Sequence, residues 1–203
     1  MPYRRTPAVQ AKLDASRAAI LWAAVALLAE HGYAGCSVAA VAARAGVATG
    51  SVYRHFPSKT ELVTEVFRLS AGREVDAVAE AAGRQGTIVE RATWVVETFA
   101  GRALKSPRLA YALLAEPVDP AVDAQRLVFR RAYRDVIATV IADGVASGEL
   151  PPQNPQLTAS AAVGAIGEAL VGPLAAGAAE VDTVPSLVRF ILRALGGTDV
   201  VDS

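Results

Sequence analysis

The sequence predicts an all-α fold in two parts, residues 1–57 and residues 58–203. Three observations carry that expectation. The chain is rich in Ala, Leu, Arg and Glu and has no alternation of apolar and polar residues long enough for a strand. With 53% hydrophobic residues over 203 positions it can bury a sizeable core, which excludes disorder as the main state. A net charge of zero conceals an asymmetry. Residues 1–60 hold seven basic side chains (Arg4, Arg5, Lys12, Arg17, Arg44, Arg54, Lys59) and two acidic ones (Asp14, Glu30), a net +5 that leaves −5 on the remainder. A basic N-terminal part on an acidic body fits a small polyanion-binding module joined to a larger unit with another task.

A basic tail, residues 1–12, is expected to fray. The first helix, about 13–31, places Ile20, Leu21, Ala24, Leu27 and Leu28 on one stripe and stops at Gly32. A second helix, about 38–45, turns Val38, Val41, Ala42 and Ala45 inward behind Ser37 as N-cap, with no glutamate to complete a capping box. Gly46 supplies a turn and Val47 a buried plug. The third helix, about 49–55, offers only Val52 and Phe56 to the core. Pro57 ends it, and Ser58 caps a connecting helix over 58–82. Further helices follow near 87–104, 107–115, 120–147, 155–178 and 184–195, separated by "KSP", "EPVDP", "SGELPPQNP" and "VDTVP".

Residues 18–29 are apolar but too short for the ~20 residues of a membrane span. Residues 157–179 are long enough, yet Glu168 and Pro173 interrupt them, and a buried helix of a soluble protein is the expectation. Cys36 is the only cysteine, which excludes an internal disulfide and points to a reducing, cytoplasmic home. Three roles are open to it: a nucleophile with His31 as base, a redox sensor, or small buried filler as the default. The two histidines, His31 and His55, form no metal-ligand pattern, and no strand-preceded phosphate loop occurs. Neither cofactor nor metal is expected.

Two short helices joined at Gly46 match a helix-turn-helix, whose second helix lies in the DNA major groove. The stretch "RAGVATGSVYRHFPSKTELV", residues 44–63, explains itself on that reading. Its third helix keeps two core contacts and leaves the rest for DNA. Gly50 allows close approach of backbone, Thr49 and Ser51 can bond base edges or phosphates, and Tyr53, Arg54 and His55 can clamp the sugar-phosphate rails. Lys59 at the next helix start can share a phosphate with free amides. An ordinary hairpin with a polar outer face is the plain alternative.

Residues 19–63, "AILWAAVALLAEHGYAGCSVAAVAARAGVATGSVYRHFPSKTELV", resemble the N-terminal DNA-binding domain of the TetR family of bacterial transcriptional regulators without a gap. The resemblance implies a cytoplasmic homodimer of all-helical subunits, each with a three-helix DNA-binding domain and a larger ligand-binding and dimerisation domain. It places Ser37, Arg44, Thr49, Gly50, Ser51, Tyr53, His55 and Lys59 where the family touches DNA. Ala48 stands where the family often has Ser or Thr, and Arg54–His55 replaces the more usual aromatic or histidine pairing. Residues 116–155 look like the turn and long helix that precede the dimer-forming pair in one branch of the family.

In the body, Ser160, Ala161, Gly164, Gly167 and Gly172, with Leu187, Phe190 and Ile191 of the last helix, are the expected dimer interface, because small residues at helical spacing let backbones approach closely. Packing inside one chain is the competing reading. Trp94, Phe99, Tyr111, Leu114, Phe129, Tyr133 and Ile137 are expected to wall a ligand cavity, with plain core as the alternative. Arg130 and Arg134, in a row with Arg126, and Glu168 are either polar hooks for an acidic or hydroxylated ligand or a solvated face. The reading is a regulator, most simply a repressor, that binds a palindromic duplex operator and leaves it on binding an unidentified small molecule. An activator or ligand-independent regulator on the same fold comes next, and a helical enzyme or scaffold last.

Overall fold

A computed structural model describes residues 6–196 as nine helices, with no strand among them. They are α1 (Pro7–Gly35), α2 (Val38–Ala45), α3 (Thr49–His55), α4 (Lys59–Ala82), α5 (Ile88–Lys105), α6 (Pro107–Leu114), α7 (Pro120–Ser147), α8 (Pro155–Ala176) and α9 (Thr183–Ala194). Ser37 and Ser58 cap α2 and α4 as expected, each accepting the amide three residues on at 3.1 Å. Thr87 and Glu90 add a capping box on α5, and Asn154 caps α8. Gly46 takes φ +65°, the left-handed conformation that ends α2.

Helix α1 starts at Pro7, six residues before the expected point, and runs beyond Gly32, which kinks it at φ +68°. Residues 7–12 are exposed throughout and bury no stripe, so hydrophobic periodicity had nothing there to register. Proline at N1 is the local signal that begins the helix.

Two hydrophobic cores share the chain. The N-terminal core joins Ile20, Leu28, Val41, Val52 and Phe56 to Leu62, Val63, Val66 and Phe67 of α4. It also takes in Ala112 of α6 and Val122 of α7, so it runs well past residue 57. One long and two short helices cannot bury enough apolar surface alone, and α4 and the α6–α7 corner complete them. The C-terminal core gathers α5, α7, α8 and α9 around Val96, Ile141, Ile166, Leu170 and Ile191. On the N-terminal side an ion-pair tie joins α4 to α1: Arg68 and Arg17 of α1 donate to Glu65, at 2.8–2.9 Å, and hold its carboxyl down at about 2. Helix α8 is the one described helix long and apolar enough to cross a membrane, and it buries Ala159, Ala162, Ile166, Leu170 and Leu174 against the rest of the chain.

Cys36 is fully buried, its thiol directed at the Ala24 carbonyl, while His31 is exposed beside Glu30. Burial pushes the Cys36 thiol up to about 11, the opposite of an activated nucleophile or redox sensor. At pH 8 the native protein is expected to resist a thiol reagent, with modification following global unfolding in a denaturant series. Rapid labelling of native protein would contradict this placement.

Candidate nucleic-acid interface and ligand cavity

Helix α3 is held from behind by Val52, fully buried, and by Phe56 at its end. Its outer surface presents Thr49, Gly50, Tyr53 and Arg54 exposed, with Ser51 and His55 half-buried. Ala48 stands at the N-cap and makes no side-chain bond, so Thr49 becomes the first helical residue rather than the cap. A methyl placed on Gly50 would meet nothing within 4 Å, so in the free protein this is bare backbone open to solvent. Arg54 makes no ion pair among the described residues and is the uncommitted cation of the surface.

The remaining expected contacts are engaged within the chain. Ser37 spends its hydroxyl oxygen on the α2 cap. Arg44 forms a two-pronged ion pair with Glu30 of α1 at 2.5 Å, which lowers the Glu30 carboxyl and raises the guanidinium. Lys59 Nζ donates to the Tyr33 carbonyl at 3.2 Å and lies 4.1 Å from the centre of the Tyr33 ring. Both cations border the α3 surface already partnered, and spacing in the sequence carries no trace of either pairing.

A second feature lies between the two cores. A cavity of about 440 Å³ is walled by Phe67 from the N-terminal core and by Phe99, Leu114, Phe129, Tyr133 and Val163 from the C-terminal side. Its size falls in the range of small-molecule pockets. Tyr133 is buried edge-on against Phe99, ring centres 4.9 Å apart, and burial pushes its phenol well above the usual range. Around these apolar walls stand Arg102, Arg126, Arg130, Arg131 and Arg134 against Glu74 and Glu168. Glu74 pairs with Arg102 at 2.5 Å, and Arg134 with Asp135 at 2.7 Å. Arg130 and Arg131 form no ion pair among the described residues.

Of the expected wall residues, Phe99, Leu114, Phe129, Arg130, Tyr133, Arg134 and Glu168 line the cavity. Trp94, Tyr111 and Ile137 do not. Trp94 lies under Arg84, 4.5 Å from ring centre to guanidinium, Tyr111 packs on the C-terminal core, and Ile137 borders a void of about 20 Å³ among α5, α7, α8 and α9. Phe67 and Arg102 are wall residues that sequence reasoning missed: Phe67 sits on the connecting helix α4, and Arg102 lies three residues beyond Phe99 on α5.

With this geometry in view, comparison with known proteins is decisive at the N-terminus. Residues 20–66 match the profile of the bacterial regulatory proteins of the tetR family. These residues carry that family's type of DNA-binding domain. It is 24% identical over 133 residues to the fatty acid metabolism regulator protein of Bacillus subtilis, covering 64% of this chain and 69% of that protein. It is 36% identical over 101 residues to the transcriptional repressor KstR of Mycolicibacterium smegmatis, 48% of each chain. Its fold is similar to the crystal structure of FadR from Bacillus subtilis in complex with stearoyl-CoA, with a TM-score of 0.75 at 22% identity over 90% of this chain and 99% of that one. Together these matches show a DNA-binding transcriptional regulator.

The dimer surface expected of a TetR-family regulator divides on inspection. Ser160, Ala161, Gly164 and Gly172 are exposed along α8, and Gly167 is half-buried; Ser160, Gly164 and Gly167 border the cavity. On α9, Phe190 is 54% exposed, but Leu187 and Ile191 are buried in the chain's own C-terminal core. That corrects the expectation for those two residues: the apolar stripe of α9 is spent on α5, leaving Phe190 outside that stripe.

Proposed function

We propose that this regulator is a cytoplasmic, homodimeric repressor that binds a palindromic duplex operator and is released by an anionic amphiphile filling the cavity between its two cores. The observation that carries the ligand class is the composition of that cavity: aromatic and aliphatic walls with a surplus of arginine, two of them free of ion pairs among the described residues. An apolar body suits the walls, and a carboxylate or phosphate suits the guanidinium fork. The stearoyl-CoA of the Bacillus subtilis FadR structure is a molecule of this class. Two copies meeting along the exposed small residues of α8 would set the recognition helices at the roughly 34–36 Å that adjacent major grooves require. Ligand then lowers operator affinity by favouring an arrangement in which both grooves cannot be filled at once.

Titration with stearoyl-CoA, stearate and coenzyme A tests the class. The two acyl compounds are expected to raise the unfolding temperature and coenzyme A alone to do little. Arg130→Glu with Arg131→Glu, both at exposed positions, is expected to weaken acyl-anion binding about tenfold or more. No stabilisation by either acyl compound, or equal binding by the charge-reversed protein, would refute the proposal.

A further inference from the structure

The corner between α6 and α7, residues 115–119, is bonded to the DNA-binding region on one side and to a cavity residue on the other. Toward the DNA-binding region, Glu116 Oε2 accepts the Tyr33 amide at 2.9 Å. Asp119 Oδ2 accepts the Tyr33 hydroxyl at 2.5 Å and the Thr60 hydroxyl at 2.8 Å. Tyr33 lies at the end of α1 and Thr60 in the first turn of α4, so the corner grips both ends of the connection that carries α2 and α3. Glycine at position 32 makes room for the grip: a Cβ there would stand 2.6 Å from the Glu116 carboxylate, and φ is +68°.

Toward the cavity, Arg126 holds the same corner. Its Nε donates to the Leu113 carbonyl at 3.0 Å, and its Nη2 to the Ala112 carbonyl at 2.9 Å and to the Glu116 carbonyl. Nη1 pairs with Asp123 at 2.8 Å. Helix α6 ends at Leu114, and the last carbonyls of a helix have no partner inside it. Arg126 supplies that partner. Its guanidinium also lies 5.8 Å from the centre of the Phe67 ring, and both residues line the cavity.

We infer that Arg126 is the positioning residue through which cavity occupancy reaches the DNA-binding region, by way of the α6–α7 corner, Glu116 and Asp119 acting on Tyr33 and Thr60. The inference rests on the anionic-ligand reading of the cavity. A carboxylate or phosphate is a stronger acceptor for a guanidinium than a peptide carbonyl. A ligand that draws Arg126 toward itself frees the end of α6, and the corner's hold on Tyr33 and Thr60 relaxes with it. Ala112 and Val122, which flank the corner, are fully buried in the N-terminal core, so the corner cannot move without that core moving too. Ligand affinity and operator affinity are then coupled reciprocally.

Amide hydrogen exchange on the full chain tests this. In Arg126→Gln the Tyr33 amide is expected to exchange about tenfold faster or more, within the usual span of coupling between sites. Arg126→Lys, which keeps charge but lacks the fork, should fall between. Arg91→Gln is the control, since Arg91 likewise holds a helix-end carbonyl, that of Ala82, and pairs with Asp143 away from the cavity; it should leave Tyr33 at the wild-type rate. Should Arg126→Gln exchange fast everywhere, Arg126→Lys decides, and a wild-type rate at Tyr33 in that variant overturns the inference. In the wild-type protein, saturating stearoyl-CoA should slow exchange in α5 and α7 and quicken it at Tyr33, and Glu116→Ala, which removes the acceptor of the Tyr33 amide, should keep the first effect while losing the second. Slowing in α5 and α7 with no change at Tyr33 overturns the coupling and leaves the cavity reading standing. No slowing in α5 or α7 removes the cavity reading, and the coupling falls with it.

Discussion

Replacing Tyr53 and Arg54 together by alanine is expected to weaken operator binding about a hundredfold without changing the fold. Both side chains are exposed on α3, while Val52 and Phe56 alone anchor that helix to the core. Surface substitutions of this kind usually move stability by no more than about 0.5 kcal/mol. Loss of the Arg54 phosphate contact should also lower the slope of log affinity against log salt by about one, and the loss should be nearly uniform across sequences. Thr49→Ala should behave differently, shifting preference at a few base positions with little change in salt slope. Anisotropy titrations at several salt concentrations separate the two outcomes. An unchanged affinity and slope in the double variant would remove the phosphate assignment.

Phe67→Ala is expected to cost about 3–5 kcal/mol, the usual range for a buried phenylalanine, and to lower the unfolding temperature by roughly 10 °C or more. The side chain is 1% exposed, belongs to the N-terminal core and walls the cavity. Its removal therefore loosens a place where the two cores and the ligand site meet. Calorimetry on the wild-type protein and Phe67→Leu brackets the effect. A loss below about 1 kcal/mol would mean that the site relaxes to fill the space and that Phe67 does not brace the two cores.

Local chemistry accounts for what was legible in the sequence. Gly46, Pro57 and the serine caps mark α2, α3 and the start of α4 because each acts on its own few residues of backbone. Pairings across the fold left no such mark. Arg44 meets Glu30 from 14 residues away and Lys59 meets Tyr33 from 26, so cations assigned to phosphate from their neighbourhood in the chain are already engaged in the free protein. The cavity was half legible for a geometric reason. Phe129 and Tyr133 share a face of α7 and both reach it, whereas Trp94 and Phe99 are five residues apart, about 140° around a helix, and only one can. Ile137 shares the face of Tyr133 but lies one turn further, about 6 Å along the axis, where the cavity has closed. On α9, exposed Phe190 is turned about 60° from buried Leu187 and about 100° from buried Ile191. The α6–α7 corner was not legible at all, since Glu116 and Asp119 reach partners 59 to 86 residues earlier.

Selection from a random duplex library by the purified protein, read by sequencing, tests the central claim most directly. The account predicts enrichment of a palindrome whose half-sites are centred roughly 34–36 Å apart or a multiple of that, lost when Tyr53 and Arg54 are alanine. Enrichment no greater than that of the Tyr53→Ala, Arg54→Ala protein would contradict it.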